Sequence, residues 1–294
     1  MWKTKILNSP TGFNFRLTAQ SHGWYDLPPF RFDDAENRLE CVFRDIQSGR
    51  SIGGNIVEAA NGVKISLESA VRNSSGIEDQ VRHILRFDDT IEDFYRAVDG
   101  HDRLHWVSKT GAGRLLRSPT VFEDLVKTLC TTNCSWALTK NMVTNIVETL
   151  GERTSNGVAA FPAAEAMALQ NEGFYRNTIR AGYRSPYFVE LAESVATGKI
   201  DPEAWLNSGL PTAELKKEIK AIKGIGDYAA ENLLKLLGRY DGLALDSWLR
   251  GQFYKKINRG KVCPDKKIEK AYSRFGEWKG LAIWCDMTAD WHAE

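Results

Sequence analysis

Two helix-patterned segments joined by Ala221-Ile222-Lys223-Gly224-Ile225-Gly226-Asp227-Tyr228 constrain this chain more than any other stretch. The first segment is expected to end at Ile222, and the second to begin with Asp227 in its first turn. The two glycines permit positive φ and leave the backbone bare. The start of the second helix then presents unsatisfied N–H groups and the positive end of a helix dipole, which suits a phosphate. The turn's carbonyls are a candidate seat for a monovalent cation. Taken alone, such a turn also serves simply to pack two helices.

Eighteen residues beyond Tyr228, the apolar run Leu243-Ala244-Leu245 leads to Asp246-Ser247-Trp248-Leu249-Arg250. Asp246 reads as the N-cap of a further helix. Taken alone that is its simpler role; beside the hairpin it also reads as a single carboxylate held at the end of an apolar segment.

The rest of the chain fits two compact bodies. With 294 residues it can build two domains or one large one, and 39 Lys plus Arg against 38 Asp plus Glu give no net bias toward a polyanion. Five dispersed cysteines with no Cys-x-x-Cys pair disfavour a disulfide framework, a zinc ribbon or a four-cysteine cluster, and fit a reducing compartment. The histidines lack metal-ligand spacing; His101 and His105, four apart, are a weak pair, and no metal site is expected. Cys130 and Cys134 read as buried helix-face residues. No 18-residue apolar run is present, and no apolar signal core follows Met1-Trp2-Lys3, which argues against membrane and secreted readings.

Alternating segments at Leu39–Arg44 and Gly62–Leu67 read as short strands, with turn-like punctuation at 33–37 and 47–54. From about Thr90 the pattern becomes helical. Ser118-Pro119 opens a helix with a stripe through Val121, Phe122, Leu125, Val126, Leu129 and Cys130, and Gly151, Gly182 and Gly238 sit where helices should stop. The expected fold class is α+β: an amino-terminal antiparallel sheet domain at 1–112, then a helical body at 113–294 with the hairpin at about 213–237.

Hairpin and spaced Asp246 together resemble the helix–hairpin–helix DNA glycosylase superfamily, in the branch of the 8-oxoguanine and alkylpurine enzymes. The similarity extends to Gly113-Arg114-Leu115-Leu116-Arg117-Ser118-Pro119, to Leu129-Cys130-Thr131-Thr132-Asn133, to Gly182-Tyr183-Arg184-Ser185-Pro186-Tyr187 and to Phe275-Gly276-Glu277-Trp278-Lys279-Gly280. It covers roughly residues 85–290. The resemblance implies removal of a damaged purine from duplex DNA, with Asp246 as the catalytic carboxylate, Asn133 and Tyr183 filling the gap, and Arg184 contacting the unpaired base. Lys223, Gly224, Gly226 and Arg250 are the implied backbone contacts. The ordinary structural roles stay open: Asn133 as a helix C-cap, Tyr183 as a half-buried aromatic, Arg184 as a surface charge.

The sequence departs from the family where the chemistry divides. Members that also cut the strand carry a lysine two residues beyond the second hairpin glycine; here Tyr228 stands there and cannot form a Schiff base. Hydrolysis alone is therefore expected. The second arginine of 8-oxoguanine enzymes, five residues past the inserting Asn, is replaced by Leu138, their pocket cysteine by Asn232, and the His after the catalytic Asp by Trp248. Tyr228, Asn232, Trp136, Trp248 and Trp278 become the expected base pocket, with aromatic faces suited to an electron-poor alkylated purine. The stretch Arg250–Lys270 carries eight basic residues against Asp265 and Glu269, either a solvated face or a phosphate-facing one. The expected partner is double-stranded DNA bearing a damaged base, bound by a monomer in the cytoplasm (nucleoid-associated) or the nucleus, with no cofactor beyond that monovalent cation. A non-catalytic lesion binder of the same fold, and a glycosylase/lyase using a displaced lysine, are the alternatives.

Overall fold

The computed structural model describes residues 2–292; Met1, Ala293 and Glu294 lie outside the described residues. Five strands, β1 (Trp2–Asn8), β2 (Arg31–Asp33), β3 (Arg38–Arg44), β4 (Ser51–Ala59) and β5 (Gly62–Val71), form one sheet in the order β1-β5-β4-β3-β2. Every pairing is antiparallel. Alternation puts Leu39, Cys41 and Phe43, Ile52 and Ile56, and Val63, Ile65 and Leu67 on the covered face.

Gly53 and Gly54 were expected in a turn, but they lie inside β4. A side chain at Gly54 would place its Cβ 2.7 Å from Phe43 Cε2 and 3.0 Å from Leu67 Cδ2, so the bare backbone there is a packing requirement.

Fourteen α-helices accompany the sheet among the described residues. The first seven are α1 (Phe15–Ala19), α2 (Ser75–Leu85), α3 (Glu92–Val98), α4 (His105–Thr110), α5 (Val121–Thr131), α6 (Trp136–Leu150) and α7 (Ala164–Ala168). The others are α8 (Glu172–Asn177), α9 (Ser185–Ala196), α10 (Thr212–Lys220), α11 (Asp227–Leu236), α12 (Ser247–Lys256), α13 (Asp265–Tyr272) and α14 (Lys279–Thr288). Helical structure thus resumes at Ser75, before the expected Thr90. Ile77, Val81, Ile84 and Leu85 give α2 a stripe that packs against β3. Gly182, at φ +59, opens a short 3-10 turn leading into α9 and does not end a helix.

The apolar core runs without interruption from the sheet face through α5 to α14. Helix α5 is its centre, with ten of eleven residues buried. Of the ionisable groups it buries, Lys127 and Glu123 form an ion pair, Lys127 Nζ lying 2.6 Å from Glu123 Oε1 and donating to Ser118 Oγ at 3.2 Å, while Asp124 has only neutral donors, Trp24 Nε1 and Ser118 N.

The turn after α2 anchors α11. Arg86, left-handed at φ +57 and fully buried, donates from NH1 to the Lys235 and Leu236 carbonyls at 3.1 and 3.2 Å, and Arg117 Nε donates to the Leu236 carbonyl as well. Those carbonyls end a helix; Gly238 N donates to that of Lys235 at 3.1 Å, and the two cations add hydrogen bonds and complement the negative dipole end. Asp89 is shared by both guanidinium groups, with its carboxyl held below the usual range chiefly by Arg86 and Arg117 against the opposing effect of burial.

Candidate active site

The hairpin forms with α10 ending at Lys220, two residues earlier than expected, and α11 beginning at Asp227. Its glycines do different work. Gly224 has φ +89, and a Cβ on it would fall 2.6 Å from Tyr187 Cδ2 and 2.7 Å from Leu129 Cδ1. Gly226 has an ordinary φ of −90 and caps α11, and a Cβ there would meet nothing within 4 Å. The first glycine is needed for packing, and the second leaves the α11 terminus open to approach.

On α11, Tyr228, Asn232 and Lys235 fall at i, i+4 and i+7 and so share one face. All three line a cavity of about 720 Å³ together with Asp246 and Trp248. Asp246 is the N-cap of α12, its Oδ1 accepting from Leu249 N at 2.7 Å. Burial, reinforced by the adjacent Asp246 carboxylate, pushes the Tyr228 phenol well above its ordinary pKa, so it stays protonated beside the acid. The Asn232 amide donates to the Tyr228 carbonyl at 3.1 Å, which ties it along the helix.

The opposite wall comes from distant parts of the chain. His22, Gly23, Trp24 and Tyr25 enter from the amino-terminal half, Thr128, Thr131 and Cys134 from α5 and the loop after it, and Trp284 and Trp291 from the carboxy-terminal end. His22 Nε2 donates to the Leu116 carbonyl at 2.7 Å, and burial pulls its pKa down to about 4, so it is neutral near pH 7. Trp24 Nε1 donates to Asp124 Oδ1 at 2.7 Å. Trp284 Nε1 donates to the Ser21 carbonyl at 2.9 Å, and its ring centroid lies 5.9 Å from that of Trp248 and 5.7 Å from that of Trp291. Trp136, half-exposed, lies against Gly23, where an added Cβ would be 2.4 Å from its Cη2.

Trp278 is a correction. It faces another part of the fold, its ring stacked on Tyr240 at 5.3 Å and tilted against Phe94 at 5.6 Å, and it does not line the cavity. Gly276, two residues before it, breaks the helical path with φ +55 and ψ −125.

Asn133 and Tyr183 come together on the surface. Asn133 follows α5 in left-handed conformation at φ +45, and its Nδ2 lies 3.4 Å from the Tyr183 hydroxyl. Arg184 was expected to reach an unpaired base, but its side chain is buried under Tyr183. The guanidinium carbon lies 4.5 Å from that ring's centroid, and Nε donates to Thr132 Oγ1 at 3.0 Å. As placed, Arg184 supports Tyr183 and leaves the buried NH2 without a partner.

The two expected phosphate contacts outside the glycines are already paired. Lys223 Nζ lies 2.7 Å from Glu190 Oε2, and Arg250 holds Asp265 through Nε and NH2 at 2.8 Å each. Lys255, Arg259, Lys261, Lys266, Lys267 and Lys270 of the basic stretch are exposed. Among the described residues no group of three or more His, Cys, Asp or Glu gathers, and no helix is long and apolar enough to cross a membrane.

Sequence reasoning missed His22, Trp24, Lys235, Trp284 and Trp291. The spacing of Lys235 from Tyr228 along one helix was the available signal, whereas the other four reach the site only through packing.

Sheet, helical body, hairpin and capped Asp246 together form the α+β fold of the helix–hairpin–helix DNA glycosylases, the superfamily this chain resembles. No family model matches the chain. A curated relative, a probable N-glycosylase/DNA lyase from Methanothermobacter thermautotrophicus, is 25% identical over 91% of this chain and 90% of its own. The solved 3-methyladenine DNA glycosylase from Archaeoglobus fulgidus matches at TM-score 0.77 and 19% identity, over 100% of this chain and 99% of that one. The apo 8-oxoguanine glycosylase/lyase from Clostridium acetobutylicum matches at TM-score 0.77 and 16% identity, over 98% and 96%.

Proposed function

We propose that this protein is a monofunctional DNA N-glycosylase. It extrudes a damaged purine, alkylated or oxidised, from duplex DNA into the cavity beside Asp246, and water hydrolyses the N-glycosidic bond, the first step of base excision repair. One observation carries this reading: the Asp246 carboxylate and the Tyr228 phenol stand side by side in one aromatic-walled cavity of about 720 Å³, a volume suited to a flipped base. The names of the relative and of both solved structures support base removal by a DNA glycosylase, and two of the three name a lyase activity as well.

Breaking the bond sends its electron pair to the leaving purine and develops positive charge on the sugar. The Asp246 carboxylate stabilises that charge across the cavity. Water forms the new bond to the anomeric carbon, and its proton passes to Asp246 or to the departing base. Tyr228, protonated and without an amine, supplies a stacking face and no covalent intermediate. Asn133 and Tyr183 fill the space that the base vacates. The hairpin takes a phosphate at Gly226, and we assign the turn's backbone carbonyls as the seat of a monovalent cation. The chemistry needs no other cofactor. The protein acts as a monomer on DNA, in a cytoplasmic nucleoid or a nucleus.

A glycosylase/lyase reading has one observation of its own. Lys235 lines the same cavity, and burial lowers its pKa to about 8, which is the condition for a nucleophilic amine. The test is a set of duplexes, each with one lesion, incubated with wild type and with Asp246→Asn. Strand breaks that need hot alkali and vanish in the variant support hydrolysis alone. Breaks without alkali, with a borohydride-trapped protein–DNA adduct, overturn it in favour of the lyase. Tight, salt-sensitive binding with no release from any duplex identifies a non-catalytic lesion binder.

A further inference from the structure

Lys235 is the cavity residue that the hydrolytic mechanism does not use. It is 3% exposed, and its Nζ donates to the Leu243 carbonyl at 3.1 Å. An ammonium has three donors, so two remain. No carboxylate lies within ion-pair distance of it among the described residues. Glu231, the nearest acid on its own helix, is taken by Lys216 Nζ and Ala244 N, each at 2.6 Å. Asp246 across the cavity is engaged by the Leu249 N–H. On the remaining sides stand Trp284, whose ring centroid is 5.8 Å from Nζ, the Cys285 thiol, held protonated by burial, and neutral His22. A buried cation that feels Glu231 and Asp246 only at a distance, with no ion-pair partner in contact, is expensive to keep. In a ligand cavity, the group that would satisfy it belongs to the ligand.

We propose that Lys235 reads the extruded base, donating to an acceptor on a neutral, carbonyl-bearing purine and repelling a purine that carries a positive charge. The inference rests on the glycosylase reading above and deepens it. The aromatic walls stack on any purine and favour a cationic one only through a modest cation–π attraction, whereas a positive charge in a low-dielectric wall opposes it. The pocket then favours oxidised or deaminated purines over cationic alkylated ones. Because burial lowers the Lys235 pKa to about 8, the ammonium is present at neutral pH and is lost as pH rises through that value.

The test uses the full chain as wild type, Lys235→Met and Lys235→Arg. Each is assayed on duplexes with a single hypoxanthine, 8-oxoguanine or 1-methyladenine, the last being cationic at neutral pH. The expected result is that Lys235→Met lowers kcat/KM on the preferred neutral base by about 10- to 100-fold, the scale of one lost charged hydrogen bond, and leaves 1-methyladenine unchanged or improved. Lys235→Arg, which keeps the charge, retains part of the preference. On the neutral base, the ratio of wild-type to Lys235→Met rates falls between pH 7 and 9. If Lys235→Met misfolds, wild type and Lys235→Arg keep the idea testable on the neutral base alone: the ratio of their rates falls between pH 7 and 9, because the arginine stays charged while the lysine does not.

Equal selectivity in wild type and Lys235→Met overturns the inference. So does a wild-type preference for 1-methyladenine, and so does borohydride trapping that depends on Lys235. Release of none of the three bases by wild type removes the glycosylase reading, and the inference falls with it.

Discussion

The side-chain amide of Asn133 lies 3.4 Å from the Tyr183 hydroxyl, joining residues that are 50 positions apart, and the Arg184 guanidinium braces the same ring from beneath at 4.5 Å. Asn133 projects from the end of α5, which is buried in the core, and Tyr183 from the turn that opens α9. The two thus form one surface prominence, with the buried Arg184 beneath it.

That prominence should act as a wedge. Tyr183→Ala is expected to lower single-turnover base release from duplex DNA by about 10- to 100-fold, because unstacking a paired base costs a few kcal/mol that the wedge helps to offset. On single-stranded DNA with the same lesion the loss should be small. Equal losses on both substrates would place Tyr183 elsewhere in the mechanism.

Asp246 has two roles that substitution can separate. Asparagine retains a side-chain oxygen for the Leu249 N–H, so Asp246→Asn should fold with near wild-type thermal stability while base release falls by roughly 10³-fold. Asp246→Ala should lose the same activity and about 1 kcal/mol of stability besides. Thermal melting beside a glycosylase assay checks both, and an active Asp246→Asn would reduce the residue to a cap.

The hairpin glycines should respond in opposite ways. Gly224→Ala introduces a side chain at φ +89 against Tyr187 and Leu129, and is expected to cost about 1–3 kcal/mol in denaturant unfolding. Gly226→Ala meets nothing, so stability should stay within about 1 kcal/mol of wild type while affinity for undamaged duplex falls. Fluorescence anisotropy across a salt series reads the second effect.

Acid should expose a buried histidine. Burial, aided by Arg117 and Arg86, lowers the His83 pKa from 6.5 to about 4, and its Nε2 has no partner. Below pH 6.5 the unfolded chain takes a proton that the native chain refuses until about pH 4, so native stability falls as pH drops through that window. For this one group the loss is on the order of 2–3 kcal/mol at most. His83→Leu should therefore lose less stability than wild type between pH 6.5 and 4, as followed by melting temperature. Identical pH profiles would refute the assignment.

What the sequence determined by itself was local. The hairpin, the capped Asp246, the strands at Leu39–Arg44 and Gly62–Leu67, and the shared face of Tyr228 and Asn232 follow from backbone preferences and from spacing along one helix or turn. These operate over a few residues and need no knowledge of the rest of the chain. Tertiary structure decided which distant groups surround that face. It brought His22, Trp24 and Trp284 to the cavity, packed Trp278 on Tyr240 and Phe94, buried Arg184 beneath Tyr183 and left Lys235 without an ion-pair partner in contact. Gly54 shows the same division, since a glycine pair reads as a turn until Phe43 and Leu67 close over it. Packing is the physical reason: burial, desolvation and charge pairing depend on neighbours that the chain supplies from far away, and no local spacing encodes them.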